Sequence, residues 1–156
     1  MDTAVKKVSG HDLIIERTYA APRDLLFEVW SHPKHLANWW GPHGFTLAHC
    51  EMDFRVGGRY RFCMRSPEGE DHWLHGEYRE IDEPNKLVFT WKRESSDGSI
   101  WCDTLVAVTF REDGGETAFR MHQSGFDVAA HRDQHRGGWS EALERLGDYV
   151  TIPTNE

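Results

Sequence analysis

The sequence predicts an α+β fold in which a curved, seven-stranded antiparallel sheet wraps around one long C-terminal helix, with two short helices after the first strand. Three observations carry this reading. From Phe45 to about Gln123 apolar residues recur with a period of two, and short Gly-, Pro- and Asp-rich turns interrupt them. Ahead of that stretch, two brief segments opening on proline place apolar residues at i, i+3 and i+4. Behind it, Trp139, Leu143, Leu146 and Val150 fall at i, i+4, i+7 and i+11, the stripe of a helix running from about 129 to 151.

The elements follow in order. "HDLIIERTYAAP" (11–22) reads as a strand with Leu13, Ile15 and Tyr19 on one face. Pro22 suits the first position of the next helix, where its missing N–H costs nothing, and "RDLLFEVW" carries Leu26, Val29 and Trp30 along one side. Pro33 opens a second short helix with Leu36, Trp39 and Trp40, and Gly41-Pro42 ends it. "FTLAHCEMDF" is the second strand, and Gly57-Gly58 supplies a hairpin turn with positive φ. The third strand sets Tyr60, Phe62 and Met64 on one side and Arg59, Arg61 and Arg65 on the other. "HWLHGEYREI", with a candidate bulge at Gly76, then "LVFTWKR", "WCDTLVAVTF" and "TAFRMHQ" complete the sheet. A sheet of this kind must bury one face, and only the final helix is long enough to cover it. Two small helices plug one end, so the architecture implies a cavity wherever large side chains do not fill the grip.

At 156 residues the chain is expected to be a single domain, 1–156, with its core over about 11–151. No apolar run approaches the ~18 residues of a membrane span, which argues against insertion. "MDTAVKKVSGHD" has no apolar stretch of a signal peptide, so the expected location is cytoplasmic. Cys50, Cys63 and Cys102 contain no CxxC pair and are expected as reduced thiols. Eighteen basic residues against 26 acidic ones give a net charge of −8, which repels phosphate backbones and excludes nucleic acid as an expected partner.

Chemistry-bearing motifs are sparse. No nucleophile elbow, P-loop or dinucleotide fingerprint occurs, and "GGRYRF" lacks the strand-to-helix setting of GxGxxG. His131 and His135 have the i, i+4 spacing of a zinc pair but no accompanying glutamate and no evident third ligand, so no metal and no cofactor are expected. His75 and His122 are candidate polar groups for a cavity. His75, Glu77 or Arg61 would serve a proton-transfer enzyme if they faced inward, but Arg61 faces out if Tyr60 and Phe62 face in. The doublet Trp39-Trp40 poses a geometric question, because adjacent helical side chains diverge by about 100°. One indole is expected in the core and the other at the rim, closing the cavity.

"APRDLLFEVWSHPKHLANWWGPHGF", "CEMDFRVGGRYRFCMRSPEG", "HGEYREIDEPNKLVFTW" and "GGWSEALERLGDYV" together resemble the AHSA-like family, named for activators of the heat-shock-protein-90 ATPase, within the START-like (SRPBCC) superfamily. The resemblance spans about residues 11–150 and implies the helix-grip fold with a hydrophobic tunnel between sheet and C-terminal helix. Its pattern falls on Pro22, Trp30, Pro33, Trp39, Trp40, Gly41, Asp53, Gly57, Gly58, Gly76, Trp91, Gly138 and Trp139, mostly structural positions. The implied tunnel takes Trp39 and Trp40 from the short helices, and Tyr60, Phe62, Met64, His75, Tyr78, Phe89, Trp91 and Met121 from the strands. Trp139, Leu143 and Leu146 come from the long helix.

The leading functional expectation is a non-catalytic domain that carries or sequesters a hydrophobic or amphipathic small molecule, as monomer or homodimer. A co-chaperone or stress-response interaction domain is the second, although a full chaperone activator is expected to have an additional N-terminal domain. A polyketide cyclase- or hydrolase-like enzyme is the third.

Overall fold

The computed structural model describes residues 11–151, so the expectations about the N-terminal segment 1–10 and the last residues, 152–156, lie outside it. Strand β1 (Leu13–Tyr19) leads into helices α1 (Arg23–Ser31) and α2 (Pro33–Leu36). Strands β2 (Thr46–Met52), β3 (Arg59–Arg65), β4 (Asp71–Asp82), β5 (Lys86–Glu94), β6 (Ile100–Asp113) and β7 (Glu116–Ser124) follow, and helix α3 (Ala129–Val150) closes the fold. The sheet order is β1-β7-β6-β5-β4-β3-β2 with every pair antiparallel. This is the expected seven-stranded helix-grip arrangement: a meander whose last strand is capped by the first.

Period-two patterning puts Leu13, Ile15 and Tyr19 into the core from β1, and Tyr60, Phe62 and Met64 from β3. Leu74 and Tyr78 follow from β4, Leu87, Phe89 and Trp91 from β5, and Phe119 and Met121 from β7. Helix α1 buries Leu26, Phe27, Val29 and Trp30. Trp30 stands at the centre, with Trp39, Phe119 and Trp139 rings 4.8, 5.8 and 6.0 Å away. Helix α3 buries His135, Trp139, Ala142, Leu143 and Leu146, and the Tyr19 hydroxyl donates to the Leu143 carbonyl at 3.0 Å, tying β1 to that helix.

Local details depart from expectation for identifiable reasons. Pro22 is extended (ψ 152°) and caps α1 rather than entering it. Helix α2 stops at Leu36, and Trp39 and Trp40 sit in the following turn, whose amides still bond the Leu36 carbonyl at 3.2 and 2.9 Å. Of the two hairpin glycines only Gly57 has positive φ (85°). Gly58 is needed because a Cβ there would collide with the Asp53 carbonyl. The bulge in β4 lies between Tyr78 and Glu80, not at Gly76. Gly76 instead leaves room for the Tyr60 ring, whose hydroxyl crosses it to donate to the Thr90 carbonyl at 2.6 Å.

Candidate functional site

The sheet and α3 do not close completely. Between the first half of α3, strands β3–β5 and the loop after α2 lies a cavity of about 130 Å³. Its inner wall is Trp40, Met64, Trp91, Trp139, His135 and Ala142, all buried. Its mouth is formed by the half-buried Pro42, Phe45, His72, Arg93 and Gly138 and by the exposed Gln134. Apolar cavities of about 150 Å³ hold a benzene-sized molecule, whereas pockets for drug-sized ligands start at about 300 Å³. The space thus matches a single ring or a short chain.

A hydrogen-bonded chain fixes the wall. The Trp139 indole N–H donates to Gln123 Oε1 (2.9 Å), the Gln123 amide donates to Thr104 Oγ1 (2.8 Å), and the Thr104 hydroxyl donates to the Trp91 carbonyl (3.1 Å). The Trp91 indole N–H donates to His135 Nε2 at 3.1 Å, and His135 Nδ1–H donates to the His131 carbonyl at 2.7 Å. Each of these buried groups has a partner, so the two indoles are locked in place. Burial lowers the His135 pKa to about 4, keeping the imidazole neutral with its proton on Nδ1. Both its ring nitrogens are thereby engaged within the protein, and the His131/His135 spacing serves packing and hydrogen bonding. Cys102 lies 4.0 Å from His135 Nε2, but burial raises the thiol to about 11 and the imidazole is already spent. The pair is not an activated nucleophile.

The loop that roofs the cavity is clamped to α3. Arg145 Nη1 lies 2.9–3.3 Å from the carbonyls of Trp40, Gly41, Pro42 and Phe45. His43 adds its backbone N–H to Glu141 (2.9 Å) and its Nε2 to Glu144 (2.7 Å).

Arg93 is the exceptional charge. It is half-buried at the mouth, and among the described residues no carboxylate pairs with it. Its Nε–H is buried without an acceptor, and its nearest polar contact is His72 Nδ1 at 3.4 Å. The guanidinium lies 5.0 Å from the Trp101 ring. Burial lowers its pKa, the signature of a cation with little compensation.

The residues expected to line a tunnel divide into four groups. Trp40, Met64, Trp91 and Trp139 meet at the cavity. Tyr60, Phe62, Tyr78 and Phe89, with Trp40, surround a much smaller void of about 10 Å³ deeper in the grip. Trp39, Met121, Leu143 and Leu146 are buried core, with Trp39 donating its indole N–H to the Val29 carbonyl at 3.0 Å. His75 is on the other face of the sheet: its Nδ1 is 2.8 Å from Glu94, which Arg61 also binds at 2.9 Å while lying over the Trp73 ring. Alternation requires this, because residue 75 cannot share a face with Leu74 and Tyr78. His122 likewise points away from the core and pairs with Asp12 at 2.9 Å. The rim expectation for the doublet is also corrected. Trp39 and Trp40 are 0% and 4% exposed, and Trp40 forms inner wall rather than an edge. Sequence reasoning missed His72 and Arg93, although both share parity with inward residues of their strands: His72 with Leu74, Arg93 with Trp91.

The family model for Activator of Hsp90 ATPase homolog 1-like proteins matches residues 20–151, and the chain belongs to that family. Similar solved structures share its fold. A Chromobacterium violaceum protein is 22% identical with a TM-score of 0.82, covering 93% of this chain and 100% of its own. The AHSA1 protein from Silicibacter pomeroyi is 24% identical with a TM-score of 0.83, covering 90% and 98%. A Mycobacterium smegmatis protein is 23% identical with a TM-score of 0.77, covering 93% of each. At these identities the likeness is one of fold. No curated protein matches the chain. No helix among the described residues is long and apolar enough to cross a membrane.

Proposed function

We propose that this protein is a non-catalytic binding domain that carries or sequesters a small apolar or amphipathic molecule in the cavity between α3 and the sheet. The observation that carries the reading is the wall: Trp40, Trp91 and Trp139 enclose about 130 Å³, and the latter two are held by a fully partnered hydrogen-bond chain. An apolar space kept open by locked side chains is organised for a ligand before one arrives. The polar groups at the mouth are a guanidinium, an amide and an imidazole, which suit recognition. An enzyme would need a nucleophile or base with an orienting partner, and the one Cys–His pair nearby is neutral on both sides. A partner-binding surface would call for a contiguous apolar patch. The exposed large apolar residues among those described are only three, Val56, Ile100 and Val128, too few for such a patch.

The test is a titration with 2-phenylethanol, a single-ring amphiphile of suitable size, followed through tryptophan fluorescence. The reading expects saturable one-to-one binding and a raised melting temperature. Failure of this ligand and of other single-ring probes to bind would overturn it.

A further inference from the structure

We infer that the molecule this cavity takes is an anion, an apolar body carrying a carboxylate or similar acid group that Arg93 holds at the mouth. The inference rests on the cavity being a binding site and adds the chemical class of its occupant. Four partly buried arginines can be compared. Arg23 bonds Asn85 at 2.7 Å and approaches Glu112 at 3.6 Å, Arg132 pairs with Asp133 at 2.9 Å, and Arg145 is surrounded by four carbonyls. Arg93 alone among them has neither a carboxylate nor a carbonyl, only the weak 3.4 Å contact to His72 Nδ1. A guanidinium drawn partly out of water, with its Nε–H buried and unpaired, is best satisfied when a ligand supplies the acceptor.

Position gives the missing group its identity. Arg93 follows Trp91 by two residues on β5, so both point into the grip, with the indole deeper and the guanidinium at the opening. His72, on neighbouring β4, flanks the same opening, and its ring packs 5.7 Å from Phe45. A planar guanidinium matches the two oxygens of a carboxylate, and such bidentate pairs are the strong, directional form of this contact. A ligand with its ring against Trp40, Trp91 and Trp139 and its acid group at Arg93 would meet the apolar space and the unpaired cation together. The Trp40 indole makes no hydrogen bond among the described residues, which leaves one more donor on a lining residue.

The experiment compares phenylacetate with 2-phenylethanol, which share a ring and chain length and differ in charge. Calorimetric or fluorescence titrations are run on the native sequence, on Arg93→Gln and on Arg93→Lys. The native protein should bind the acid at least about tenfold more tightly than the alcohol. Arg93→Gln should weaken the acid by at least about tenfold more than it weakens the alcohol, bringing that ratio to about one, and Arg93→Lys should restore part of the preference. Equal affinity for acid and alcohol in the native protein would overturn the inference even if neither variant folds, and would leave the cavity reading standing. Parallel loss of both ligands in a folded Arg93→Gln would overturn it as well. Binding of neither probe would remove both readings together.

Discussion

Trp39 and Trp40 are neighbours in sequence and both buried, yet their surroundings give them different work. Trp39 is fully enclosed and its N–H satisfies the Val29 carbonyl, so Trp39→Ala opens a hole and orphans an acceptor. Trp40 already has empty space on one side, and its indole makes no hydrogen bond among the described residues. Trp39→Ala should therefore cost about 4–5 kcal/mol by urea melts and leave ligand affinity within about twofold in any folded fraction. Trp40→Ala should cost less, about 3 kcal/mol, and abolish uptake of a single-ring ligand. Equal stability losses with binding intact in both would make the doublet plain core. His135 adds a pH dependence at the same scale. Its folded pKa of about 4 lies below the ordinary imidazole value of 6.5, so the unfolded chain takes up the proton first. Its contribution is fully present above about pH 6.5 and is lost as pH falls toward 4, amounting to about 3 kcal/mol over that window. His135→Gln should flatten stability across pH 6.5–4 by about that amount relative to the native protein, measured by denaturant melts at each pH. Unchanged steepness would show that His135 is not the group responsible.

At the scale of elements, the loop after α2 and helix α3 form one unit through Arg145. A charged donor shared among carbonyls is worth about 1.5–3 kcal/mol, and removing it leaves acceptors that α3 cannot otherwise satisfy. Arg145→Met keeps the stem and removes the charge, so it should lower stability by about that much. Amide exchange should quicken in the 40–45 loop while the protection of β5–β7 stays unchanged. Exchange quickening uniformly through the sheet would contradict a local clamp. Much at this scale was legible beforehand. Alternation identified the strands, Pro33 opened α2, and the stripe from Trp139 to Leu146 found the buried face of α3. The turn holding Trp39 and Trp40 was not, because propensity cannot show where a four-residue helix yields to a looser turn that keeps its carbonyl partner. His75 was misplaced for a simpler reason: its neighbours Leu74 and Gly76 already occupy the inward face.

For the whole molecule, sequence pattern led to the grip, and the grip led to a cavity. Which side chains would fill it depended on packing that no periodicity encodes. Tyr60, Phe62, Tyr78 and Phe89 nearly close the deep end, so the expected tunnel shrinks to a pocket at one end. Arg93 and His72 were readable in principle as polar residues at inward positions, but only the fold shows that β4 and β5 bring them to one opening. The central claim is that this pocket is a binding site, and Gly138 tests it most directly. It lies on α3 at the mouth, where an added Cβ would sit 3.6 Å from Pro42, an ordinary contact, so a side chain fits there by entering the cavity. Replacing a mid-helix glycine also gains up to about 1 kcal/mol of helix propensity, so Gly138→Leu should fold with a melting temperature close to that of the native protein. The decisive measurement is the fluorescence titration of both proteins with 2-phenylethanol: the account predicts saturable binding to the native chain and none to folded Gly138→Leu, and equal binding by the two would contradict it.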